Sequence, residues 1–234
     1  MTILTIGVFD GVHRGHQSLL SHLGNDSIVI TFSNHPAEVL KNSVPPQLCS
    51  LSLKLALLKK YGVFNPIVIP FTRDLSQVNF EFFLEPYSFN HLILGEGAAF
   101  GFDGQGNAEA LRILGLKRGF TVQTVQKLQV GNQPISSSRI RSLILEGKLS
   151  EAEILLGHPY CIDYDPHSLP HIALPPDADY TIWSHSDKGS EMVRLTIHNR
   201  VLKPSANIKQ LICFGSNLTP NLFNQLCQTS LAVS

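Results

Sequence analysis

Over its first two thirds the chain alternates short apolar runs, bounded by Gly, Pro or Asn, with stretches whose apolar residues recur at helical spacing. Residues 3–9, 27–32, 67–70, 91–95 and 121–126 are rich in Ile, Val, Leu and Phe and predict strands. Residues 17–23, 51–61, 107–118 and 137–147 carry the helical pattern. Within 51–61, Leu51, Leu55 and Leu58 share a face, which leaves Lys54, Lys59 and Lys60 for water. Strands alternating with helices imply an α/β fold around a parallel sheet, and such sheets bind ligands at the carboxyl ends of their strands. After Pro176 the pattern changes to β-type runs at 180–185, 193–198 and 210–214, with a helix at 221–227, which predicts a small β module.

Five prolines, Pro159, Pro166, Pro170, Pro175 and Pro176, punctuate residues 157–176, where neither helix interior nor central strand is expected. This divides the chain into residues 1–157 and 158–234. Eighteen Lys and Arg balance eighteen Asp and Glu, so the basic excess typical of nucleic-acid or anionic-membrane binders is missing and a small-molecule ligand is expected. No apolar run approaches a membrane span, and residues 1–9 lack the basic start and long apolar core of a signal peptide, so the expectation is a cytoplasmic protein. Cys49, Cys161, Cys213 and Cys227 lie far apart without metal or disulfide-framework spacing and read as reduced thiols.

The strongest local signal is Gly7-Val8-Phe9-Asp10-Gly11-Val12-His13-Arg14-Gly15-His16, directly after the first strand. Gly7, Gly11 and Gly15 allow a tight turn and close backbone approach, and the N–H groups of the helix that follows favour an anion. His13 and His16 can both donate to one phosphate there. The same residues also suit a plain turn capped by Asp10 or a histidine, and no third ligand accompanies the histidines for a metal site, so no metal ligands are assigned. A second constellation, Ile135-Ser136-Ser137-Ser138-Arg139-Ile140-Arg141, opens another amphipathic helix. Ser138 and Arg141 are one helical turn apart, which suits either a phosphate clamp or a capped surface helix with Arg139 outward.

Taken together these residues resemble the bacterial FAD synthetase family, the bifunctional riboflavin kinase/FMN adenylyltransferases. Thr31-Phe32-Ser33-Asn34-His35-Pro36 is similar to that family's T-F-x-P-H-P, Phe71-Thr72-Arg73-Asp74-Leu75-Ser76 to its F-T segment, and Leu155-Leu156-Gly157-His158-Pro159-Tyr160 to its L-L-G-R-P-Y. The resemblance covers about residues 1–160. It implies a Rossmann-like nucleotidyltransferase domain followed by a small β-barrel-like domain, and transfer of AMP from ATP to FMN with magnesium bridging the phosphates. His13, His16 and Arg141 would be catalytic. Gly7, Phe9, Asp10, Gly11, Gly15, Ser137 and Ser138 would bind ATP, and Asn34, His35, Pro36, Phe71, Gly95 and Phe100 the flavin nucleotide. A structural role for His35 fits its motif equally well.

Two departures stand out. Where the family reads V-G-x-D/N-F-x-F-G, this chain has Leu94-Gly95-Glu96-Gly97-Ala98-Ala99-Phe100-Gly101, with glycine at the acidic or amide position and Glu96 beside it. The kinase signature G-F-P-T-A-N has no equivalent in order: Ser168-Leu169-Pro170-His171-Ile172-Ala173 lacks its threonine and asparagine. The expectation is an FMN adenylyltransferase with an eroded kinase module. Its rivals are a bifunctional enzyme, a relative acting on another substrate, and a noncatalytic flavin-binding protein.

Overall fold

The computed structural model describes residues 1–41, 44–164, 169–186, 189–205 and 211–214; the predicted helix at 221–227 and Cys227 lie outside them. The chain forms two compact units that interleave along the sequence: residues 1–9, 15–44 and 61–129 in the first, and residues 10–14, 45–60 and 130–234 in the second.

The first unit is built on β1 (Ile3–Ile6), β2 (Ile28–Phe32), β3 (Ile67–Ile69), β4 (His91–Gly95) and β5 (Thr121–Val125). All neighbours run parallel, in the order β3-β2-β1-β4-β5. Each matches an expected strand. The first ends at Ile6 rather than Phe9, and Phe9 itself, at φ 52°, has left extended geometry. Leu4 and Ile6, Ile30 and Phe32, and Leu92 and Leu94 share one face by the period of two, and pack there with Phe80, Leu84, Leu111 and Leu114. The alternate residues Ile3, Val29 and Ile93 are buried as well, so both faces are covered, as parallel sheets require. The helices are α1 (Arg14–Leu20), α2 (Ala37–Leu40), α4 (Arg73–Ser76), α5 (Phe80–Leu84) and α6 (Ala108–Arg118), while α3 (Leu51–Lys60) belongs to the other unit. α6 starts at Asn107, whose side chain accepts from two backbone N–H groups, and stops at Gly119 in the left-handed conformation.

The second unit contains α3 (Leu51–Lys60), the short ribbon β6 (Gln129–Val130) and β7 (Gln133–Pro134), α7 (Ser137–Leu145) and α8 (Leu149–Leu156). Its sheet comprises β8 (Tyr160–Asp163), β9 (Ala178–Ser186), β10 (Gly189–His198), β11 (Val201–Pro204) and β12 (Leu211–Phe214), all antiparallel in the order β11-β10-β9-β12-β8. Ile140 and Ile144 of α7 and Leu155 and Leu156 of α8 share its core with Tyr160, Ile182, Leu195 and Phe214 of the sheet. The α/β class therefore holds: a parallel sheet is followed by an antiparallel one.

Two sequence expectations are corrected here. Cys161 and Cys213 are not reduced thiols; antiparallel pairing of β8 with β12 sets them opposite one another and they form a disulfide. Their separation of 52 residues hid this from any local spacing rule. Lys54 is buried at 7% exposure rather than open to water. It lies three and four residues before the buried Leu57 and Leu58, so it occupies the buried stripe.

Candidate active site

The strand order places β2 and β3 on one side of β1 and β4 and β5 on the other, so the chain reverses direction across the sheet between β1 and β4. A cavity of about 410 Å³ lies beyond the strand ends. Gly7 and Val8 follow β1 into its wall, Phe32 and Pro36 flank the end of β2, Phe71 follows β3, and Phe100 follows β4. Among the described lining residues only Ser76 has a side chain that can hydrogen-bond, and its hydroxyl donates to the Arg73 carbonyl at 2.6 Å. The walls are held by edge-to-face aromatic pairs, Phe32 with Phe71 at 5.3 Å and Phe83 with Phe100 at 5.6 Å. This is a slot for a flat apolar group.

Of the six residues expected at a flavin, Pro36, Phe71 and Phe100 line the cavity; Asn34, His35 and Gly95 do not. Asn34 holds Phe71 from both sides of its amide, donating to the Phe71 carbonyl at 3.1 Å and accepting its N–H at 2.8 Å. His35 supports the start of α2: its Nδ1 accepts from the Ala37 N–H at 3.1 Å, while its own N–H donates to Glu38. Gly95 ends β4 and its carbonyl accepts from Ala98 N–H in the turn that follows. Gly97 sits in that turn at φ 75°. Glu96 is engaged elsewhere, accepting from the N–H of Lys127, two residues beyond β5, at 3.2 Å.

The glycine-rich loop begins in the first unit. Phe9 is 2% exposed, and its ring covers Gly7 so closely that a Cβ there would stand 3.0 Å from it. The same ring meets His16 edge-on at 5.2 Å. Gly15 and His16 lie in the first turn of α1.

Asp10 to Arg14 belong to the second unit. Asp10 is 5% exposed; its carboxylate accepts from the Leu48 N–H at 2.8 Å and from Arg141 Nη2 at 3.1 Å. The Asp10 carbonyl accepts from the Ser137 hydroxyl at 3.1 Å. Arg141 also donates through Nε to the Pro46 carbonyl. Its guanidinium thus ties the loop to α7, which is a holding role whatever its remaining N–H groups contact. Ser136 caps α7 by accepting from the Arg139 N–H, and Ser138 is exposed on the first turn. Arg139 is not a free surface arginine: it donates to the Val130 and Gln133 carbonyls, each at 3.0 Å, and so secures the ribbon.

Gly11 has φ 73°, and a Cβ there would lie 2.8 Å from Leu48 Cδ1, so both backbone and space demand glycine. Its N–H donates to Cys49 Sγ at 3.2 Å. Val12 follows at φ 37°, strained for a β-branched residue. His13, 6% exposed, is held down to a pKa of about 4 chiefly by burial, with a smaller push from His158. It is therefore neutral at neutral pH. Burial pushes the Cys49 thiol up to about 12, helped by Asp10, and draws Lys54 below its ordinary value. Neither residue was found from the sequence: Cys49 carries no motif, and Lys54 was signalled only by its place on the apolar stripe. Among the described residues no group of three or more His, Cys, Asp or Glu is arranged to hold a metal.

The FAD synthetase family model matches residues 1–139. The chain belongs to that family. Curated relatives named bifunctional riboflavin kinase/FMN adenylyltransferase are 32% identical over 173 residues in Escherichia coli K12 and 35% over 172 residues in Haemophilus influenzae. Each match takes in 68% of this chain but only 55% and 56% of the relative, so the chain spans about half the length of the relatives it matches. A crystal structure described as a macrolide-efflux protein from Streptococcus pneumoniae shares the fold at a TM-score of 0.73, with 20% identity, over 99% of this chain and 92% of that one.

Proposed function

We propose that the chain is an FMN adenylyltransferase, taking MgATP and FMN and releasing FAD and pyrophosphate. A phosphate oxygen of FMN attacks the α-phosphorus of ATP in line. As that P–O bond forms, the bond from the α-phosphorus to the β-bridging oxygen breaks, and pyrophosphate leaves with the magnesium that arrived on ATP. Catalysis of such a transfer consists of positioning and stabilising charge that moves onto phosphate oxygens. His13 and His16 serve as N–H donors to those oxygens, and the neutral state of His13 suits a directed dipole. Gly7, Phe9, Asp10, Gly11 and Gly15 shape the loop for ATP. Ser137 and Ser138 meet the outer phosphates, and Arg141 holds the loop in register with α7.

What supports the reading is the apolar cavity at the strand ends, built from residues within the family's matched stretch and sized for a flat aromatic ring. Pro36, Phe71 and Phe100 contact the flavin, with Asn34 positioning Phe71. Residues 1–157 carry the transfer in this proposal, and residues 158–234 form a divergent riboflavin-kinase-like β domain without kinase activity. Its oxygen-bearing candidates are engaged locally: Asp177 accepts from the Asn199 N–H, Asp179 from Thr196, and Ser205 from the Arg194 N–H. A cytoplasmic location belongs to the proposal. The test is incubation of purified protein with ATP, magnesium and FMN, followed by identification of the flavin. FAD is the expected product; its absence from folded protein overturns the reading.

A further inference from the structure

The turn that presents His13 is strained, and strain persists only where the surroundings over-determine it. Several groups hold the residues just before Val12. Leu48, Arg141 and Ser137 engage Asp10, and Cys49 accepts the Gly11 N–H. The other side of the Gly11–Val12 peptide is held from a distant point in the chain. His158, two residues beyond α8 and 5% exposed, places Nε2 at 2.9 Å from the Gly11 carbonyl, across 147 residues of sequence. Nδ1 faces the carbonyl of the adjacent Pro159 at 2.8 Å. The Gly11 and Pro159 carbonyls both only accept, so a ring with one proton donates to just one of them, and the Gly11 hydrogen bond exists in the Nε2–H tautomer. The titratable groups that act on His158 are His13 from the loop and Lys60 from the end of α3.

We propose that His158 is a positioning residue for adenylyl transfer: its Nε2–H anchors the Gly11 carbonyl, keeps Val12 in its strained conformation and so holds His13 in its buried, presented orientation. This rests on the adenylyltransferase reading of the loop. The contact is specific in reach. A glutamine amide nitrogen at position 158 extends about as far as Nε2, whereas an asparagine nitrogen corresponds to Nδ1 and falls short of Gly11. Leucine fills the volume without a donor and leaves the Gly11 carbonyl buried without its anchor.

The experiment compares wild type with His158→Gln, His158→Asn and His158→Leu in the full chain. FAD formation from MgATP and FMN is followed as separate kcat and KM values, and the His13 ring is followed by NMR titration. The asparagine and leucine variants should lose at least tenfold in kcat with FMN KM within threefold of wild type, and glutamine should restore most of the rate. In the two defective variants the His13 titration midpoint should rise toward that of a solvated imidazole, because a released loop lets water reach the ring; in His158→Gln it should stay low. A general loss of stability would not separate glutamine from asparagine in this way. If the leucine variant does not fold, the glutamine and asparagine pair decides alone. Unchanged His13 titration together with kcat within twofold in the asparagine variant overturns the proposal. If wild type makes no FAD, the adenylyltransferase reading fails, while the His13 titrations still decide whether His158 positions the loop.

Discussion

At 6% exposure the His13 imidazole is a neutral group in a nearly closed site, and two measurable properties follow from that state. The first is catalytic. Loss of a donor aimed at developing charge costs about 10²-fold or more in turnover, so His13→Ala and His16→Ala should each lower FAD formation by that factor while the circular dichroism spectrum is retained. A folded double variant with near-normal turnover would remove both residues from the mechanism. The second concerns stability. His13 has a folded-state pKa of about 4 against 6.5 when unfolded, so its burial is fully favourable above pH 6.5. Below 6.5 the unfolded chain takes up the proton first, and the contribution is progressively lost as pH falls toward 4. The full difference amounts to about 3 kcal/mol, and His158 shifts in the same direction. Urea midpoints measured from pH 7.5 to 4.5 should fall steeply in wild type and less steeply in His13→Gln; equal slopes would show that another group dominates.

Among the elements, the connections after β2 and β3 show how a cavity wall depends on a residue outside it. Asn34 makes two hydrogen bonds to Phe71, whose ring faces the cavity. Asn34→Ala should raise the FMN KM by about tenfold, the equivalent of the net value of those bonds, with kcat changed much less. A fall in kcat at constant KM would place Asn34 in the chemistry instead. The β8–β12 pair carries the disulfide, which closes a long segment of chain. By the loop-entropy argument it contributes up to about 4 kcal/mol, so dithiothreitol, or Cys213→Ser, should lower the melting temperature by several degrees. Melting curves that coincide with and without reductant would mean the bond adds nothing to the folded state. Periodicity located β1, β2, β4, α3, α6 and α7 because each buries a face over several residues, and β3 and β5 as short runs rich in β-branched residues. It missed the helix α8 and the edge strand β11, as well as β8, enclosed by prolines, and the short α2, α4 and α5, which have too few residues to display a period.

For the whole molecule, the functional prediction is that riboflavin with MgATP yields no FMN, since Asp177, Asp179 and Ser205 are held in the turns and ladder of their own sheet. FMN formed by a preparation free of other kinases would require a phosphate site elsewhere in the second unit. Family, fold class and the positions of the glycine-rich loop and the serine-led helix start were legible from residue order alone, because glycine turns, helix starts and apolar periods are local properties. The partnership of Asp10 with Arg141 across 131 residues, of Gly11 with His158, and of Cys161 with Cys213 was not. Nor was the fact that residues 10–14 and 45–60 share a compact unit with the antiparallel sheet rather than with the parallel sheet that precedes and follows them in sequence. Arg139 and Arg141 look alike in sequence, yet one secures a ribbon and the other a buried carboxylate. Which partner a side chain takes is decided by where long-range packing brings the backbone, and that information is carried by no window of neighbouring residues.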